Sequence, residues 1–193
     1  MKKHLNAVNA RFNRELDDFK TGIHKGDLHL GKPLSILKSA GLKEGEITVT
    51  PSVLHQHLKK HNLTTDDLKG LAKFIQYPML VYQHGKNIPS TIIITEMTTD
   101  GKKLSVAVRL ENKGRNLTVN EIASIHRKDA VVELERLSKL SDRELEKNVK
   151  WIEREQALDW LGFAPSSGAS SQANQRLNSV AKILQNFENP KFF

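Results

Sequence analysis

The residues best suited to chemistry begin with His57-Leu-Lys-Lys-His61, preceded by His55. If this stretch is helical, His57 and His61 stand one turn apart on the same face. Two imidazoles so placed serve either as metal ligands or as proton carriers, since histidine titrates near neutrality, at roughly pH 6.5. No glutamate lies between them and no third ligand is evident, so the pattern His-Glu-x-x-His is absent. The sequence therefore points to no metal and no organic cofactor. Cleavage of RNA by its own 2′-hydroxyl needs a proton shuttle, with cations around the charge that develops at phosphorus. The plainer alternative is a set of solvated histidines on a helix that also carries Lys59 and Lys60.

A second constellation runs Asn120-Glu-Ile-Ala-Ser124-Ile-His126-Arg127-Lys128. The Ser124 hydroxyl suits a phosphate oxygen. His126 adds a proton carrier, while Arg127 offers a planar fork and Lys128 a point charge. Arg115 brings a further cation in the loop just upstream. Read plainly, the same residues are a solvated basic turn between a strand and a helix.

Several other chemistries are excluded. The chain has no Gly-x-x-x-x-Gly-Lys-Ser/Thr, no Gly-x-Gly-x-x-Gly and no Gly-x-Ser-x-Gly, so the usual nucleotide and serine-hydrolase loops are missing. With no cysteine there is neither a thiol nucleophile nor a disulfide. Aromatic residues make up 6% and are not interleaved with the cations, which argues against a base-stacking platform. Lysine and arginine number 30 against 22 aspartates and glutamates, a formal charge of +8 over 193 residues. That balance favours an anionic partner, nucleic acid first, although a merely soluble basic surface would read the same. No apolar run nears the roughly 18 residues of a membrane span, and the N-terminus has no apolar leader, so neither is expected.

These residues need elements to hold them. Leu5, Val8, Phe12, Leu16 and Phe19 repeat at helical spacing over residues 1–20. Pro33 opens a short helix that Gly41 closes, and Ile47-Thr-Val49 alternates as a strand. Thr50-Pro51 or Ser52 starts the histidine helix. A third helix is expected from Thr64 or Thr65 through Leu68, Leu71, Ala72 and Ile75, and Tyr77-Pro78 stops it. Strands follow at 79–82, 91–97 and 103–110, the last two joined by the hairpin turn Asp100-Gly101. Residues 117–128 suit either a helix or an edge strand. Helical spacing returns at Val131, Leu134, Leu137 and Leu140, and Ser141 with Glu144 forms a capping box. Trp151-Ile152 reads as a strand and 154–161 as a short helix. After a Ser-rich linker, residues 172–187 read as a last helix, with Phe192-Phe193 as an apolar tip. Helices, then a hairpin-centred sheet, then helices make a segregated α+β chain rather than an alternating one.

Three ordered stretches resemble the C-terminal MuF-type domains of phages and related members of the barnase–EndoU–colicin–RelE-like group. They are 29–41 with 53–61, then 71–101, then 119–128 with Trp151-Ile152 and Ala157-Leu-Asp-Trp160-Leu161. The resemblance implies N-terminal helices packed on a small curved antiparallel sheet whose face holds the active residues. It divides the chain into an amphipathic helix at 1–27, an α+β domain at 28–165, and a linker with a C-terminal helix at 166–193. It further implies a metal-independent ribonuclease of phage or mobile-element origin, toxin-like. By that resemblance His57, His61, Ser124 and Lys128 would be catalytic and Asn120 would hold substrate, to which the residues themselves add His126, Arg127 and Arg115 as substrate contacts. The position of His126 is usually aromatic in the group, so here it either adds a base or marks a diverged, inactive copy. RNA, an immunity protein or a phage structural component would be partners, in the host cytoplasm or the phage particle. The competing expectations are a non-catalytic nucleic-acid-binding or packaging-associated protein, and a protein-docking module built from the terminal helices.

Overall fold

The computed structural model describes residues 2–84, 90–112, 118–129, 132–133, 136–137 and 139–153. Arg115, the expected helices at 154–161 and 172–187, the Ser-rich linker and the apolar tip lie outside the described residues.

The first helix, α1 (Lys2–Lys20), follows its apolar spacing: Phe12 and Leu16 are fully buried, with Val8 and Phe19 packed beside them. It is no free docking helix, because that stripe is sealed into the main core. A two-residue strand, β1 (Leu28–His29), then pairs antiparallel with β2 (Ile47–Val49). Between them lies α2 (Ser35–Ser39), after which Gly41 takes a positive φ of 100° where the chain leaves the helix. The histidine helix, α3 (Pro51–His61), is capped by the Thr50 hydroxyl, which accepts from the Val53 amide.

The expected third helix is broken in two, a 3₁₀ turn (Asp66–Leu68) and α4 (Leu71–Phe74). The cause is Gly70, at φ +96°, whose amide donates to the Asn13 side chain of α1. The apolar stripe survives the break, since Leu68, Leu71, Ala72 and Ile75 are all buried.

The remaining strands are β3 (Leu80–His84), β4 (Ser90–Thr99), β5 (Lys102–Asn112), β6 (Thr118–Lys128) and β7 (Val149–Ile152). A further helix, α5 (Asp142–Asn148), begins at the capping box of Ser141 and Glu144. The β4–β5 turn is formed by Asp100 at φ 50° and Gly101 at φ 72°, the left-handed pair that a two-residue hairpin demands. The sheet has seven strands in the order β1-β2-β6-β5-β4-β3-β7, every pairing antiparallel except β2 with β6. The molecule is therefore α+β. One sheet face carries Val81, Ile93, Val106 and Ile125 into the core shared with α1 and α4. No helix among the described residues is long and apolar enough to cross a membrane.

Two details of this sheet place the chemistry. Within the stretch left ambiguous by the sequence, residues 118–128 are a strand. In addition β2 pairs only with Asn120 and Glu121 of β6. The chain then turns at Thr50 into α3, which packs along the rest of β6 where an edge strand would otherwise continue.

Candidate functional site

The β5–β6 register slips by one residue: Ile122 faces Val108, but Ser124 faces Ala107, leaving Ala123 as the extra residue of a bulge. Side chains of a strand alternate, so the bulge reverses which ones point inward. Before it, Asn120 and Ile122 are buried on the core face. After it Ile125 is buried on that face, opposite the core residue Val106. Ser124, His126 and Lys128 are thereby turned together to the opposite face, across from Ala107, Ser105 and Lys103. At about 3.3 Å per residue, Ser124 and Lys128 each lie roughly 7 Å along the strand from His126.

Helix α3 brings its two histidines to the same place. The His57 and His61 rings stack with centroids 5.5 Å apart and planes within 6°. The His126 ring lies 5.6 Å from His61, tilted by 58°. One ring nitrogen from each of the three histidines falls within 4.8 Å of the other two. The far end of the helix is pinned to β6 as well, because Arg127 Nη2 donates to the carbonyl of Asn62, the left-handed residue that caps α3.

All three imidazoles are held below the ordinary histidine pKa. For His126 burial is the main cause, helped by the charges of Lys128, His61 and His57, and the value falls to about 4. Glu133 pulls weakly the other way. His57 is lowered by burial and then by His61, against the pull of the Ala123 carbonyl. His61 is lowered by burial, Lys60 and Arg127. At neutral pH the cluster therefore presents neutral rings with free lone pairs, the form that both a base and a metal ligand require. His57 is only 8% exposed, and its Nδ1 is buried without a hydrogen-bond partner among the described residues.

Lys128 does not stand alone. Its Nζ lies 2.8 Å from Oε2 of Glu133, a carboxylate whose side chain is 5% exposed and which also pairs with Arg136. Arg136 in turn sits over the Tyr82 ring, 5.1 Å from its centroid. The lysine and arginine hold the Glu133 pKa below the usual carboxylate value although burial opposes them. Sequence reasoning missed Glu133. The Glu133–Arg136 spacing was a visible signal, but the tie to Lys128 crosses from a strand to another segment.

The other expected site residues have different employment. Asn120 is fully buried, and its amide accepts from the Lys43 amide while donating to the carbonyls of Lys43 and Gly45. It fastens the loop before β2 to β6, on the face away from Ser124. Arg127 points to the side opposite His126 and joins Asp100 of the hairpin, 2.9 Å away, to the end of α3. His55 is exposed on α3 outside the cluster. The structure thus brings together His57, His61 and His126, with Ser124 and Lys128 on the same strand face as His126. It leaves Asn120 and Arg127 in framework roles.

The family model described as the phage MuF-C-terminal domain matches residues 52–158 of the chain. That span contains α3 from its second residue, the hairpin strands, the three histidines, Ser124 and Lys128. No curated protein and no solved structure matches the chain significantly.

Proposed function

The chain belongs to the phage MuF-C-terminal domain family, and from that premise we propose that it is a phage-associated domain that cleaves RNA by acid–base chemistry at the histidine cluster. One observation carries the reading: His57 and His61, on a helix, converge with His126, on a strand more than sixty residues later, beside a lysine. Such convergence holds three imidazoles where burial and neighbouring cations disfavour their charged form, a perturbation typical of functional sites.

The roles follow from exposure and position. His61 and His126 are the less buried rings and act as the proton-transfer pair. One takes the proton of the ribose 2′-hydroxyl as its oxygen bonds to phosphorus; the other gives a proton to the 5′-oxygen as the old P–O bond breaks. The products are a 2′,3′-cyclic phosphate and a 5′-hydroxyl. Neutral rings supply the base directly, and the phosphodiester's negative charge draws a proton onto the second ring when substrate binds. His57 backs His61 by stacking on it. The Ser124 hydroxyl and Lys128 ammonium hold the non-bridging oxygens, where fixed donors act most strongly on developing charge. Glu133 occupies one of the three Lys128 donors and aims the remaining two.

A second reading, a non-catalytic phage structural or nucleic-acid-binding part, draws support from one specific fact. The charges of Lys128 and Arg127 are already paired inside the protein, to Glu133 and Asp100. The two readings separate in a cleavage assay with labelled RNA in EDTA. The acid–base reading expects cyclic-phosphate ends, and their loss in folded His61→Ala and Lys128→Ala variants. Salt-sensitive binding without product supports the structural reading instead. Cleavage by both variants at the parental rate rules out this mechanism.

A further inference from the structure

We propose that the His57–His61–His126 cluster is also a transition-metal site, one that takes Zn²⁺ and thereby switches off proton transfer. The regulatory half of the proposal rests on the cleavage reading; the metal site itself does not. The donor set comprises three imidazole nitrogens and no carboxylate, a set that favours zinc or a similar first-row transition metal and disfavours magnesium and calcium. Three histidine ligands leave a tetrahedral ion one open position.

The geometry is close to what such an ion needs. With Zn–N bonds of about 2.0–2.1 Å, tetrahedral ligands stand about 3.3 Å apart. The three nitrogens here lie within 4.8 Å of one another, so ring rotations of modest size complete the triangle. His57 and His61 keep the i, i+4 spacing that lets a helix offer two ligands to one ion, and the bulge at Ala123 delivers the third. Nδ1 of His57 is buried and unpartnered among the described residues, so the protein leaves one nitrogen of this ring unsatisfied. The surrounding charges act in both directions. Lys60, Arg127 and Lys128 repel a dication, while the Glu133 carboxylate attracts it. The lone pair that binds the metal is the one that would accept the 2′-hydroxyl proton, so the two uses exclude each other.

The test uses the full, untagged chain, freed of metal by EDTA and dialysis, and titrated with ZnSO₄ by calorimetry at pH 7.5. One equivalent is expected to bind. Affinity should fall at least about tenfold in each of His57→Gln, His61→Gln and His126→Gln and stay unchanged in His55→Gln. Magnesium should give no signal. If His57→Gln fails to fold, as a buried position risks, the His61 and His126 variants decide the matter. No binding at about a tenfold excess of zinc, or equal binding by the His126→Gln and parental chains, overturns the site. In the RNA assay one equivalent of zinc should slow cleavage at least about tenfold, with EDTA restoring it. Tight binding with undiminished cleavage overturns the switch. A chain that binds zinc through these histidines and never cuts RNA overturns the cleavage reading and leaves the metal site standing.

Discussion

Replacing Glu133 by glutamine isolates the contact that aims Lys128. The carboxylate is 5% exposed and accepts from two cations, with Lys128 Nζ at 2.8 Å. Glutamine keeps the shape but loses the charge, and it turns an N–H₂ group toward a cation. Removing one member of a fully buried ion pair costs about 3–5 kcal/mol. Here the partners are 33% and 42% exposed and can recover water, so the loss should sit below that range, at about 2 kcal/mol. For a chain of this size that is roughly 4–8 °C in melting temperature. Urea unfolding of parent and variant at pH 7.5 reads the difference directly. The pH dependence carries a further constraint. The folded pKa of Glu133 is depressed, so its contribution is present above the unfolded value of 4.5 and is lost as pH falls through the folded value. The gap between parent and variant should therefore shrink as the pH is taken below 4.5. A gap under about 0.5 kcal/mol at pH 7.5, or one that does not change with acid, would refute the reasoning.

Three further outcomes are expected. Asn120→Ala removes three part-buried hydrogen bonds of a buried amide and should destabilise the chain by about 2–3 kcal/mol in urea, a loss that added RNA or phosphate does not rescue. His126, whose folded pKa is about 4 against 6.5 unfolded, stabilises the neutral-pH fold. In metal-free buffer the parent should lose about 1–2 kcal/mol between pH 6.5 and 4, after allowance for solvent screening of a partly exposed ring, and His126→Gln should show a flatter profile. Phe12→Ala, in the core beneath the sheet, should cost about 3–5 kcal/mol by thermal unfolding and show that α1 belongs to the domain rather than to a detachable segment.

Local signals are the most legible part of the sequence. The Asp100-Gly101 turn, the Thr50 and Ser141 caps and the stripe of α1 each depend on neighbours within a few residues, and each has its expected place, whereas the helix expected to run to Tyr77-Pro78 already ends at Phe74. What escaped depends on partners far along the chain. Residues 118–128 looked equally helical because the bulge spaces the inward side chains Asn120, Ile122 and Ile125 irregularly, blurring the period-two pattern of a strand. The same bulge separates Asn120 from Ser124, which their spacing alone would have placed on one face of a regular strand. A third companion for His57 and His61 was not evident because His126 reaches them only through the β2–α3 crossover, which a single sequence does not reveal. Glu133 was passed over as one of many charges on a helical segment, although its burial makes it the pivot of the lysine side of the site. The broken third helix was decided by Gly70, whose positive φ answers to a contact with Asn13 on α1.

Three imidazoles sharing one anion-binding surface are directly testable by imidazole NMR. The metal-free chain, labelled with ¹⁵N at histidine, is titrated with a 2′-deoxy dinucleotide, which offers a phosphodiester but no attacking hydroxyl. Ring resonances of His57, His61 and His126 should shift together along one binding curve, with His55 still, and the shifts should vanish in Lys128→Ala. Independent curves, or movement at His55 while the cluster stays silent, would contradict a common site.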